Sequence, residues 1–275
     1  MKKPWRWLLG IIAGLAAARA AMSFFVQPSN TRDWAVDQAR LPVAEIDGPL
    51  VTIRNIRNFT YRSVDDYTPA YYDKTFDLRK LESAWFVVEP FGGAGAAHTF
   101  VSFGFGGNDF VAISVEIRKE KGESFSPIQG LLRRYEIMYV IGDERDLIKL
   151  RTNYRKDTVY LYPMRTSPER MRAMFQGMVT RANELAKKPE FYNTLTNTCT
   201  TNLVRHVNEL VPGRIPLHPA VFLPGYSDRF AYKLGLIDTT LPFAEVREHF
   251  RINERAEKYA DDPEFSHRIR GSATP

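Results

Sequence analysis

Residues 97–119 read AHTFVSFGFGGNDFVAISVEIRK, and the architecture hangs on them. Two runs rich in Val, Ile, Phe and Thr flank GGND, a pattern that predicts a β-hairpin. Side chains alternate across a strand, so His98, Phe100 and Ser102 share one face while Thr99, Val101 and Phe103 take the other. In the second run Phe110, Ala112, Ser114 and Glu116 share a face. Val111, Ile113, Val115 and Ile117 form a wholly apolar one, which is assigned to the core. A turn centred near Gly107 sets His98 opposite Val115 or Glu116. Parity then puts His98 and Glu116 on the same, more polar face as cross-strand neighbours. Two readings of that pair stay open: an ordinary surface contact, or a carboxylate that fixes one tautomer of a working imidazole.

Before the hairpin, residues 26–50 read as an irregular lead-in. Strand-like runs are expected over 51–61, irregular near Arg54 and Asn55, and over 84–88, followed by the loop FGGAGAA. After it, strands are expected over 135–141 and 158–162. Helices then take over. Ser167-Pro168-Glu169 offers a capping serine, a proline at the first helical position and an acid. Met171, Met174, Phe175, Met178, Val179 and Leu185 follow at helical spacing, as a core face. A second helix is expected to start at Asn197 or Thr198. Its apolar side is Cys199, Leu203, Val204, Val207, Leu210 and Val211, and Val211-Pro212-Gly213 ends it. A short helix is expected around 229–234, a polar surface helix over 241–259, and a frayed end. Strands first and helices after predict an α+β fold, an antiparallel sheet with packed helices, and not a doubly wound parallel one.

The 275 residues are 44% hydrophobic and 25% charged, enough for one sizeable core. The net charge of +6 comes without a polybasic block or nucleic-acid motif. It therefore reads as a solvated surface with a mild leaning toward membranes, and no nucleic-acid partner is expected. At the N-terminus Lys2, Lys3 and Arg6 precede an apolar run from Trp7 to Ala18, and Ala18-Arg19-Ala20 has the small-x-small form of a signal-peptidase site. Residues 1–25 are thus expected to be a signal peptide or signal-anchor helix, with residues 26–275 as a single exported domain.

Cys199 is the single cysteine, so no intrachain disulfide forms. A free thiol in an exported protein is a liability unless it works, which leaves two readings: a small buried hydrophobe, or a nucleophile. At the first turn of a helix that faces the body, Cys199 has the helix terminus to favour its thiolate. His98 or His218 would serve as base. His206 lies too far along the same helix, and His249 and His267 sit in polar segments. The scattered histidines and lone cysteine have no metal-ligand spacing, and FGFGGND is a turn, not a phosphate loop, so neither metal nor cofactor is expected.

Three stretches, AHTFVSFGFGGNDFVAISVEIRKEKGESFSP, RRYEIMYVIGDERDLIKLRTNYRKDTVYLYP and FYNTLTNTCTTNLVRHV, together with VTIRNIRNFTYRS, resemble the Lnb N-terminal periplasmic domain family over most of residues 50–210. On that resemblance residues 211–275 are a helical C-terminal extension. The family is similar to circularly permuted papain-like thiol enzymes of the NlpC type, in which the histidine strand precedes the cysteine helix, as His98 precedes Cys199. Asn197 is separated from Cys199 by Thr198, so the role of an adjacent asparagine does not carry over.

The resemblance implies a bacterial envelope protein at the periplasmic face of the inner membrane. Cys199 would take an acyl chain from membrane phospholipid as a thioester and pass it to an amine such as a lipoprotein N-terminus, with His98 as base then acid and Glu116 orienting it. Nothing after residue 26 is long and apolar enough to span a membrane, whereas the family's namesake carries such a region, so the acceptor is left open. Two other functions remain: a cysteine amidase or peptidase on cell-wall peptide, and a non-catalytic periplasmic binding domain.

Overall fold

The hairpin forms as read, as β7 (Ala97–Gly104) and β8 (Phe110–Arg118) of a larger sheet. The structure, a computed structural model, describes residues 26–93 and 95–271, together with Trp5, Trp7, Gly10 and Gly14. The expected leader over residues 1–25 otherwise lies outside the described residues. Among those described, no helix is long and apolar enough to cross a membrane.

In chain order the elements before the hairpin are β1 (Val43–Asp47), β2 (Leu50–Arg57), β3 (Thr60–Tyr61), β4 (Tyr67–Thr68), β5 (Tyr71–Asp77) and β6 (Ser83–Pro90). After it come α1 (Pro127–Leu131), β9 (Glu136–Gly142), α2 (Glu144–Lys149), a π-helical turn over Leu150–Tyr154, and β10 (Tyr160–Pro163). The helices α3 (Pro168–Lys187), α4 (Cys199–Leu210), α5 (Pro219–Phe222), α6 (Ser227–Lys233), α7 (Phe243–Phe250), α8 (Asn253–Lys258) and α9 (Phe265–Arg268) complete it. The fold is α+β. Its main sheet runs β1-β2-β9-β8-β7-β6-β10, with β5 also paired to β2, and every pairing is antiparallel except the short β2–β9 contact. The irregularity expected in the first strand is real. The β2–β5 register shifts between Ile53 and Ile56, and Asn55 takes a φ of 62°, a conformation asparagine tolerates better than most residues.

One face of the sheet holds the core that the alternation predicts. Val101, Phe103, Val111, Ile113 and Val115 pack against Met171, Met174, Phe175 and Met178 of α3 and Leu203 of α4. The opposite face departs from expectation. It is no solvated surface but a second core, in which Phe100, Phe110, Ala112, Met138 and Val140 are covered by Leu147, Ile148, Ile252, Ala256, Phe265 and Ile269. The C-terminal segment, expected as a surface helix and a frayed end, therefore forms a layer of its own. Val246, Phe250, Ile252, Ala256, Phe265 and Ile269 are all buried in it, which its polar average composition conceals.

Polar groups on this second face pair over long range, although Arg270 Nε stays without a hydrogen-bond partner. Arg270 is fully buried and pairs with both oxygens of Glu144 (2.7 and 2.9 Å), which also accepts from Ser102. The guanidinium lies 3.6 Å from the Phe110 ring centroid. Removing one partner of a buried ion pair strands the other charge and costs about 3–5 kcal/mol. Arg270→Met is therefore expected to lower unfolding stability by about that amount, as read from the urea midpoint. A loss of under about 1 kcal/mol would mean that the C-terminal layer is not integral to the domain.

Candidate active site

The Cys199 side chain is set by its own neighbours. In TNTCTT, Thr198 caps α4: its hydroxyl accepts from the Thr201 amide (3.2 Å), and the Thr201 hydroxyl accepts from the Thr198 amide (2.7 Å). This box fixes Cys199 as the first helical residue, at the positive end of the helix dipole. Thr200 then meets β7, its hydroxyl 3.0 Å from that of Thr99. Asn197 works structurally: it donates to the Phe191 carbonyl and accepts from Asn202, holding the turn that leads into the helix.

The β7–β8 ladder closes at Phe100↔Ser114. Beyond that pair the two strands no longer bond, and the register continues to His98 facing Glu116. His98 Nε2 lies 2.6 Å from Ser114 Oγ and 3.2 Å from Glu116 Oε1, while Ser114 Oγ donates to the same oxygen (2.7 Å). With Nε2 so engaged, Nδ1 is the nitrogen left for the thiol, and Cys199 and His98 lie near enough for each to act on the other's ionisation. The structure thus brings together the three residues singled out from the sequence.

It also adds residues that sequence reasoning missed. Arg151, in the π-helical turn, donates to Glu116 Oε1 (2.9 Å) and to the buried Glu89 (2.6 Å), with its guanidinium 4.8 Å from the Phe100 ring centroid. Glu89 sits directly across β6–β7 from His98. Ser114 was findable, since it shares parity with His98 and Glu116. No spacing pointed to Arg151. The competing histidines are occupied elsewhere. His206 is buried against the Tyr139 hydroxyl (2.8 Å), and burial, with Arg205 and Arg181 nearby, pushes it down to about 4. His218 accepts from the Ala220 amide and stacks on Phe230 at 4.0 Å.

The electrostatics follow from this packing. Burial disfavours the charged imidazolium, yet Glu116 and the thiol outweigh it and push His98 up to about 10. Burial also disfavours a thiolate, but His98, the Thr99 amide and Thr200 bring Cys199 down to about 7. Glu116 is held well below the usual carboxylate range despite burial, by His98 first and then Arg151 and Ser114. The arrangement stores a thiolate–imidazolium pair near neutral pH, a state in which the sulfur is nucleophilic and the proton is held beside it.

Beside the nucleophile, one wall of α4 (Thr200, Leu203, Val204 and Val207) faces Val221 of α5 and Phe230 of α6 across an almost wholly apolar slot. Its free volume is about 70 Å³, so a guest longer than a few atoms would have to part the walls. Among the described residues, no cluster of His, Cys, Asp or Glu could hold a metal ion.

The profile of the Lnb N-terminal periplasmic domain family matches residues 67–223, more than half of the chain. The chain belongs to the Lnb N-terminal periplasmic domain family. It is thus a periplasmic protein of the cell envelope. His98, Glu116, Arg151 and Cys199 all fall within the matched span, whereas β1, β2 and the C-terminal layer that carries Arg270 lie outside it. No curated protein and no solved structure matches the chain.

Proposed function

We propose that this domain is a thiol acyl-transfer enzyme of the envelope that carries an acyl chain as a thioester on Cys199. The observation that carries the reading is the Cys199–His98–Glu116 arrangement with an apolar slot along the nucleophile's own helix. His98 on a strand preceding the cysteine helix is also the order of a permuted papain-like enzyme.

In the proposed reaction the Cys199 thiolate attacks the ester carbonyl of a phospholipid. The Cys199 and Thr200 amides, in the first turn of α4, have no intrahelical acceptor and can serve the developing oxyanion, whereas the Thr201 amide is taken by Thr198. As the tetrahedral intermediate collapses, the C–O bond breaks and the His98 imidazolium gives its proton to the departing alcohol. His98, now neutral, takes a proton from an incoming amine or water, which attacks the thioester and releases the thiolate. The apolar slot favours an acyl chain over a polar peptide, which would leave its amide groups unpaired there.

The test is intact-mass measurement of the purified protein after exposure to phosphatidylethanolamine of defined chain length. A single added acyl mass that tracks the chain length and is removed by hydroxylamine is expected. Cleavage of a cell-wall peptide with no acyl adduct would move the assignment to an amidase.

A further inference from the structure

Four segments meet at the end of the sheet where Cys199 and His98 lie. The 90–98 loop joins β6 to β7 at Pro90↔Ala97. The 191–199 segment leads into α4, and its Phe191 bridges Glu136 at the start of β9, beside the end of β8. The 124–134 segment carries α1 and is tied on where Thr194 donates to the Pro127 carbonyl (2.7 Å). The 214–226 segment carries α5, and the Gly225 amide donates to the Gly95 carbonyl (2.9 Å).

These segments expose large apolar side chains to solvent. Ile128 is 70% exposed, Leu132 54%, Leu195 52% and Leu217 85%, and Phe222 and Leu223 stand out beside them. Isolated exposed leucines are ordinary on a protein surface. Here they gather on separate segments that meet at one end of the sheet. The chain has 32 Asp and Glu, yet none falls in any of these four segments, which carry Arg133, Arg134 and Arg214. A surface tuned for another protein would show a continuous packed patch with complementary polar groups. Arg134 is paired with Glu123 just before the segment (2.5 Å), which leaves Arg133 and Arg214; apolar tips with such basic residues match the acyl boundary and anionic headgroups of a lipid leaflet. The segment around α5 joins the two environments: Leu217, Phe222 and Leu223 face out, while Ala220 and Val221 line the apolar slot beside Cys199.

We propose that this end of the domain docks onto a phospholipid bilayer, with Leu132, Leu195, Leu217 and Leu223 entering the headgroup–acyl boundary and Cys199 held on the membrane side. Its purpose rests on the acyl-transfer reading above, but its test needs no turnover. Tryptophans are placed one at a time in the full-length protein, as Leu132→Trp and Leu217→Trp on the rim and Lys80→Trp at the far end of the sheet. Emission is followed as the difference from the parent, whose four native tryptophans set the background, as vesicles of phosphatidylglycerol and phosphatidylethanolamine are added. Both rim tryptophans are expected to shift to shorter wavelength, and the far one to stay unchanged. The shift should shrink with purely zwitterionic vesicles. Cys199→Ser protein should dock like the parent, so loss of docking and loss of the acyl-enzyme are told apart.

Three results would overturn docking at this face. In the first, the rim tryptophans stay unshifted while the protein is held on the vesicles. In the second, Lys80→Trp shifts as much as they do. In the third, the rim tryptophans shift with protein concentration alone, which would make the face a contact between copies of this chain.

Discussion

Cys199→Ser is expected to eliminate the acyl adduct and to lower turnover on phospholipid by at least about three powers of ten. A serine hydroxyl fits the position and keeps a contact with Thr200, but it is not ionised near neutral pH. The thiol is brought down to about 7 chiefly by the neighbouring His98, against the effect of burial. The serine would depend on His98 to take its proton during attack, and Glu116 still favours the protonated imidazole, which cannot accept it. The fold should survive, because the capping box of Thr198 and Thr201 sets the start of α4 without the sulfur, and a melting temperature within a few degrees of the parent is expected. His98→Ala should also stop turnover, while slow acylation of Cys199 persists because the helix terminus still favours some thiolate. Parent-level turnover by Cys199→Ser would rule out covalent catalysis at this position.

The sequence reveals those parts of the fold in which local pattern and tertiary role coincide. The β7–β8 hairpin alternates strictly on its core side, and GGND fixes its turn, so register and the His98–Glu116 pairing are both legible. The start of α4 is equally clear, because a capping box is a local structure. β1 and β5 escape notice for the opposite reason. β1 is an edge strand whose side chains are largely exposed, and β5, in YYDKTFD, interleaves charges with its apolar residues.

The second core is hidden because its polar members look solvated in sequence. Ser102 meets Glu144 and Arg270, 42 and 168 positions away, partners that only the fold supplies. The meeting of His98 with Cys199 spans 101 positions and has no signature in spacing. The resemblance of the TNTCTT and AHTF motifs to a known family points to it; periodicity does not. Arg151 is the extreme case: a single arginine in a basic stretch, marked by nothing until the π-helical turn aims it between Glu89 and Glu116.

Those residues form a line of alternating charge: Glu89, Arg151, Glu116, His98 and Cys199. Each ionised group is favoured by the one before it, so the nucleophile's state depends on carboxylates that never touch it. Burial alone would push His98 and Cys199 toward their neutral forms, and the line is what reverses this. Buried ion pairs are poor sources of stability, because desolvation offsets their attraction. Their presence here is better understood as setting the protonation of one sulfur.

The pH dependence of Cys199 alkylation tests that coupling, and Glu116→Gln is the decisive variant. His98 is raised from its ordinary 6.5 to about 10, so its contribution to the pair is complete below 6.5 and is lost as pH rises through about 10. Cys199 is depressed from its ordinary 9.0 to about 7, so its contribution is complete above 9.0 and is lost as pH falls through about 7. The thiolate–imidazolium pair therefore spans the window between about 7 and about 10, and alkylation by iodoacetamide should rise with a midpoint near its lower edge. The two groups titrate as a pair, so the midpoint belongs to both.

An amide in place of the Glu116 carboxylate would keep a hydrogen-bond acceptor for the ring but remove the charge that, after burial, acts most strongly on His98. The imidazolium then loses its proton at lower pH, and the thiolate loses its cation. The alkylation midpoint should move up by about one to two pH units, leaving about 5- to 50-fold less thiolate at neutral pH. Turnover at neutral pH should fall at least as far, with partial recovery as the pH is raised. A merely structural role for Glu116 would lower the reactive fraction of protein without moving the midpoint. An unmoved midpoint in Glu116→Gln would therefore mean that the carboxylate positions the ring and does not hold its charge.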